Sequence, residues 1–230
     1  MPIIQDEEFG KITIRRSARA SQVRLRVAPD GTLRASLPLY APIFLVKRLV
    51  KSSRNELRKL MTDAAPSLAF EDGMRIGKSH HLSVRATSGA LQVKRSGQQI
   101  YVMLPHGASL SDSVVVRAIR EVVQVALRLE AKSYLPKRLS FLARAHGYEY
   151  TQVRFSHASG RWGSCNSQGV ISLNIALMKL PFQLIDYVLI HELAHTEHLN
   201  HSPAFWERVA SGDPNYKQHR ATLKQESPSI

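Results

Sequence analysis

His191, Glu192 and His195 stand in the order H-E-x-x-H, and His198 and His201 follow closely. On a helix, residues four apart share a face, so the imidazoles of His191 and His195 can meet one ion. The run around them is apolar: Phe182, Leu184, Ile185, Tyr187, Val188, Leu189, Ile190, Leu193 and Ala194 cover nearly every helical direction. Such a helix is buried all round. Ionisable groups inside it need a compensating charge, and Zn2+ supplies one, taking neutral imidazole nitrogens at roughly 2.0 to 2.1 Å. Glu192 lies about 100° further round the helix than His191, outside direct ligation but within reach of a zinc-activated water, whose pKa falls to about 7. That is the position of a general base, and the chemistry is hydrolysis.

A catalytic zinc takes three protein ligands and keeps one open position, and His198 and His201 compete for the third place. In a straight helix His191 and His198 are roughly 10 Å apart along the axis, so the backbone must bend first. Asn200 tolerates the left-handed conformation that ends a helix, and Ser202-Pro203 reads as an N-cap followed by proline at the first helical position. His201 then falls in a tight turn between two helices. The spacing His191-x3-His195-x5-His201 is similar to that of metzincin ligands, but His198 stands where those have glycine and no Met-turn follows. Tyr216, His219 and Arg161 are oxyanion-stabilising candidates by residue type alone. Cys165 reads as a small packed residue, Phe205 and Trp206 as packing against the metal helix, and His80 and His81 as surface groups.

The elements that must position these residues follow from periodicity. Ile12 and Ile14, then Val23, Leu25 and Val27, then Leu33, Ala35 and Leu37 alternate with polar residues, and Pro29-Asp30-Gly31 separates the last two runs. This predicts a β-hairpin with Arg24, Arg26 and Arg34 on its outer face. Pro42 opens a cationic helix over residues 42–61, and residues 62–73 are turn-prone. Short strands are expected at 81–86, 91–94 and 100–104, forming a hairpin or meander. A long helix over 114–134 is interrupted by Pro136 and resumes to Gly147. Strands 153–155 and 170–174 bracket a Ser- and Gly-rich loop. No internal repeat is evident.

The chain has 230 residues, 43% of them hydrophobic and 22% charged, which fits an ordinary globular protein with a packed core. One cysteine, Cys165, cannot form an intrachain disulfide, and no apolar stretch reaches the length of a membrane span, so a cytoplasmic location is expected. Lys and Arg number 32 against 18 Asp and Glu, a net charge of +14 that favours polyanions. Residues 1–110 hold 18 basic and 8 acidic residues, and the excess is concentrated there. Arg24, Arg26, Arg34, Lys47, Lys51 and Arg58 are candidates for nucleic acid phosphates, although no helix-turn-helix, zinc finger or RNP-like aromatic set accompanies them.

The segments Arg161-Trp162-Gly163-Ser164-Cys165, Leu173-Asn174, Tyr187 to His195 and Asn200-His201-Ser202-Pro203-Ala204-Phe205-Trp206 resemble the YgjP-like metallopeptidase family, once grouped as domain of unknown function 45 and related to SprT-like zinc proteases. The resemblance implies His191, His195 and His201 as zinc ligands and Glu192 as catalytic acid and base, and, as is typical of zincins, strand 170–174 beside the cleft as the edge that pairs with an extended substrate. The expected architecture is α+β, with an antiparallel β-rich, basic N-terminal region over 1–110 and a zincin-like helical metallopeptidase domain over 111–230. The expected function is zinc-dependent hydrolysis of a peptide or protein. The alternatives are a basic nucleic-acid-associated protein, with SprT-like protease activity or a structural metal, and a metal-dependent nucleotide pyrophosphohydrolase, for which no P-loop is present.

Overall fold

Alternating apolar residues early in the chain build β1 (Ile3–Asp6), β2 (Gly10–Arg16), β3 (Arg24–Val27) and β4 (Leu33–Leu37), in the sheet order β1-β2-β4-β3. The structure is a computed structural model describing residues 2–18, 20–27, 32–63, 70–158, 160–228 and 230. β3 and β4 form the expected hairpin, although its turn, Pro29-Asp30-Gly31, lies outside the described residues, as do residues 64–69 of the turn-prone stretch. β2 runs parallel to β4, with Ile14 opposite Ala35, and β1 adds an antiparallel strand not anticipated from the sequence. The predicted helix over 42–61 is two helices, α1 (Phe44–Ser52) and α2 (Arg54–Asp63), broken at Ser53. Val46, Val50 and Leu57 cover Ile12, Ile14, Leu33, Ala35 and Leu37 on one face of the sheet.

The same arrangement then recurs. β5 (Arg75–Ile76), β6 (His80–Thr87), β7 (Gln92–Ser96) and β8 (Gln99–Pro105) lie in the order β5-β6-β8-β7. Again the first pair is antiparallel, the second strand runs parallel to the fourth, and the last two form a hairpin. The fourth strand of each sheet ends near a Leu-Pro dipeptide, Leu37-Pro38 and Leu104-Pro105, and leads into helix. The chain therefore contains a topological repeat that the sequence reading did not find. What recurs is alternation and strand order, which constrain residue class and leave identity free.

The two compact units are Met1–Ala69 and Phe70–Ile230. The second sheet belongs to the second unit because Ile76, Leu82, Ile100 and Val102 share one core with Val115, Ile119 and the apolar run around His191. The expected boundary near residue 110 thus falls inside that unit. α3 (Ser113–His146) passes unbroken through Pro136, where an interruption was expected. Ala131, Leu135 and Leu139 are fully buried around the proline, and their packing outweighs the roughly 3 kcal/mol that a helix-interior proline costs. Gly147, at φ 72°, ends the helix in the left-handed region, and the Tyr148 N–H donates to the Ala143 carbonyl at 2.8 Å.

β9 (Gln152–Ser156), β10 (Gly163–Cys165) and β11 (Val170–Asn174) form a third sheet in the order β10-β11-β9. A 3-10 turn, Ile175–Lys179, leads to α4 (Phe182–Ala194), α5 (Pro203–Gly212) and α6 (Tyr216–Leu223). The architecture is α+β, and α4 packs against α3, α5, α6 and β10. Among the described residues no helix is long and apolar enough to cross a membrane.

Candidate metal centre and active site

α4 is buried over Leu184, Ile185 and Tyr187 to Ile190, as its composition requires, and ends at Ala194. No described non-glycine residue has a positive φ, so Asn200 does not end the helix in the expected way. The last carbonyls are met by the turn that follows: the Thr196 N–H and hydroxyl donate to the Leu193 carbonyl at 2.9 and 2.8 Å, and the Glu197 and His198 N–H groups donate to the Ala194 carbonyl. Beyond the helix, His195 Nδ1 lies 2.9 Å from the His198 carbonyl. The chain then reverses, and Ser202 caps α5 by accepting from the Phe205 N–H, with Pro203 in the first turn.

This reversal brings His201 back over α4. One nitrogen from each of His191, His195 and His201 lies within 4.8 Å of the others, a group that could hold a metal ion. The Nε2 atoms of His191 and His201 are 3.2 Å apart. Donation from His195 Nδ1 to the His198 carbonyl leaves the His195 Nε2 lone pair free for an ion. His198 therefore contributes its backbone, and its ring is not one of the three. Phe205 is fully buried beneath the cluster, stacked on His195 at 4.5 Å and edge-to-face with His191 and His201 at 5.0 and 4.8 Å. Trp206 stacks on His201 at 5.5 Å.

The donor set fits a divalent cation. Burial, together with His195, His201 and Arg220, pushes His191 down to about 3, so its ring is neutral at pH 7. His191 Nδ1 is buried without a hydrogen-bond partner, and its Nε2 faces that of His201. Three imidazoles at this separation suit zinc.

Glu192 is 5% exposed and faces β10. Burial pushes its carboxyl up to about 8, while the Arg161 guanidinium acts in the opposite direction. A Cβ at Gly163 would lie 2.6 Å from Glu192 Oε1, so the carboxylate occupies space that only glycine leaves. Asn174, fully buried, ties down the loop before β10: its side-chain amide donates to the carbonyls of Ala158 at 2.6 Å and Arg161 at 2.9 Å, and its oxygen accepts from the Ala176 N–H. The Gly163 constraint and the Asn174 tether are not derivable from spacing. Their signal is the Arg161-Trp162-Gly163-Ser164-Cys165 and Leu173-Asn174 pairing, which the register Gly163 opposite Leu173 explains.

β11 is the central strand of its sheet, so the expectation that 170–174 offers a free edge to substrate is corrected. The edge beside α4 is β10. The Asn174 N–H donates to the Trp162 carbonyl and the Asn166 N–H to the Val170 carbonyl. In an antiparallel ladder this alternation turns the peptide groups of Gly163 and Cys165 away from β11. Cys165 is half-buried, its thiol pushed up to about 11 by burial and by Glu192, and it is outside the histidine group.

On the other side of the rings, Tyr187 lies 6.0 Å from His191 and 6.3 Å from His219, centroid to centroid. His219 Nδ1 is 2.7 Å from the buried Asp213 carboxylate, and Tyr216 stacks on Trp206. Arg220, which residue-type reasoning missed, lies over the Trp206 ring at 4.6 Å, and its charge lowers both His191 and His201. His80, expected at the surface, is 4% exposed and 2.7 Å from the Glu130 carboxylate of α3, whereas His81 is exposed.

The crystal structure of the metallopeptidase zymogen of Pyrococcus abyssi abylysin is 27% identical over 39% of this chain and 92% of that chain, with a TM-score of 0.36. No curated protein matches. Residues 21–226 match the pattern that defines the YgjP-like, metallopeptidase domain family, and the chain belongs to that family.

Proposed function

We propose that the chain is a zinc-dependent peptidase in which His191, His195 and His201 hold the metal and Glu192 is the general base. The observation that carries this reading is the convergence of three imidazole nitrogens within 4.8 Å, next to a buried carboxylate and a free strand edge. When bound, zinc would supply Lewis-acid polarisation of the scissile carbonyl and of the attacking water. β10 aligns an extended peptide through the outward peptide groups of Gly163 and Cys165. Glu192 takes a proton from the attacking water at its carboxylate and delivers it to the leaving amine. Its burial against Gly163 of β10 keeps bulk water from competing for that proton. A purely structural zinc would want a fourth protein ligand, and among the described residues the group has three. The lone thiol Cys165 suits a reducing compartment such as the cytoplasm.

The test is Glu192→Gln, an isosteric change beside the metal ligands. Peptide hydrolysis should fall by about 10² to 10⁴-fold, the range for a lost general base, while elemental analysis still finds one zinc per chain. Turnover at the wild-type rate would remove Glu192 from the mechanism.

A further inference from the structure

The repeated sheet has one feature that peptide hydrolysis does not use. In each copy one face is covered by helix and the other is open. On the first open face alternation places Lys11 and Arg15 from β2, Arg34 from β4, and Arg24 and Arg26 from β3, all exposed, with Thr13 and Ser36 among them. No described strand residue on that face is acidic. Among the described carboxylates of this unit, Asp6 pairs with Arg54, and Glu8 with Arg54 and Arg58 of α2. The six cations expected to act together are therefore split, since Lys47, Lys51 and Arg58 belong to the helical layer that covers the opposite face.

The second open face repeats the pattern. Arg75, His81 and Arg85 are exposed on β5 and β6, and Lys94 of β7 lies opposite Tyr101 of β8, with the Arg85 guanidinium 5.2 Å from the Tyr101 ring centre. Residues 73–111 contain no Asp or Glu.

Arg26 sits directly opposite Arg34, and like charges facing each other across strands oppose pairing. Guanidinium groups spaced by the roughly 6.8 Å two-residue repeat and the roughly 4.8 Å strand spacing, with hydroxyls between them, match a repeating phosphate, which arginine binds in bidentate fashion. A cationic surface that binds membranes adds an apolar face for insertion, and Ile3 is the one large apolar side chain that the described strands expose on these faces.

We propose that the duplicated four-stranded module is a nucleic-acid-binding element, gripping phosphates through Arg15, Arg24, Arg26 and Arg34 on the first open face and through Arg85 and Lys94 around Tyr101 on the second. The first face carries no aromatic ring, so it reads no sequence; Tyr101 offers the second a platform for an unpaired base.

The experiment is fluorescence anisotropy of the full chain with a labelled mixed-sequence DNA duplex and the matching single strand, across salt concentrations. Four contacts on the first face give a log–log salt slope of about −3 to −4 on duplex, a loss of affinity of about 100-fold between about 50 and 200 mM salt. Combined Arg24→Ser, Arg26→Ser and Arg34→Ser reduces that slope by about 2 to 3 and weakens binding at least about tenfold. Tyr101→Ala weakens the single strand more than the duplex. The charge-matched control Arg117→Ser, Arg128→Ser and Lys132→Ser, three exposed positions of α3, leaves the slope unchanged. Independently of any substitution, duplex DNA slows amide exchange in β3, β4, β7 and β8 of the wild-type chain. The proposal is overturned by absence of binding at low salt, by a control variant that loses as much as the face variant, by exchange protection lying outside both sheets, or by tighter binding to phosphatidylserine vesicles than to DNA.

Discussion

Replacing Gly163 with alanine tests the reasoning about the active site most sharply, because the change is one methyl group and the residue touches no metal ligand. The added Cβ would lie 2.6 Å from Glu192 Oε1, 2.7 Å from Cγ and 2.8 Å from Cδ, whereas ordinary contact begins at 3.4 Å. The carboxyl must therefore retreat by about 0.8 Å, and its buried neighbours on α4, Val188, Leu189 and Leu193, give it little room. A displacement near 1 Å at a reacting group costs about 100-fold in rate, or about 2.7 kcal/mol of transition-state stabilisation. The loss should appear in kcat more than in KM, because Glu192 acts on the attacking water and β10 still presents its peptide groups. Overpacking costs a further 1 to 3 kcal/mol, roughly, of folding stability, read as a lower melting temperature. Zinc content stays at one per chain. Gly160→Ala is the matched control, since nothing lies within 4 Å of a Cβ there, and it should leave rate and melting unchanged. A Gly163→Ala enzyme that cleaves a fluorogenic peptide within about threefold of wild type would refute the placement of Glu192 as base.

Three further outcomes follow from the same geometry. His201→Ala should lower zinc affinity by more than the roughly 10 to 100-fold typical of an orienting partner, whereas His198→Ala, which keeps the carbonyl that holds His195, should leave affinity near wild type; zinc titration with a competing chelator distinguishes them. Burial raises the Glu130 carboxyl, but the N–H groups of Lys78 and Ser79, the Ser79 hydroxyl and His80 outweigh it and hold the group below the usual carboxylate range. A depressed native pKa stabilises the fold above the ordinary carboxylate pKa and ceases to do so as pH falls through the native value, so Glu130→Gln should cost about 3 kcal/mol at neutral pH and converge with wild type in acid melts. Gly77→Ala places a Cβ 2.2 Å from Glu130 Oε2 and 2.6 Å from Leu127 Cδ2 at a φ of 64°, so denaturant titration should show a loss of about 3 kcal/mol, larger than at Gly163.

What the sequence determined by itself is local. His191, Glu192 and His195 are fixed relative to one another by helical geometry, and the apolar residues between Phe182 and Ala194 dictate that the helix carrying them is buried. Ser202-Pro203 begins the next helix as its residue types require. The Arg24, Arg26 and Arg34 row follows from strand alternation alone.

Tertiary structure decided everything that depends on a chain returning to itself. His201 rather than His198 joins the ligand group because the backbone reverses after Ala194 through a turn closed on the Leu193 and Ala194 carbonyls, with no left-handed residue. Pro136 sits inside a continuous helix because packing on either side outweighs its local penalty. Which strand is the sheet edge, why position 163 must be glycine, and that the first hundred residues hold one topology twice all depend on pairing order. Alternation declares which face of a strand is buried, and it is silent on which neighbour the strand will meet.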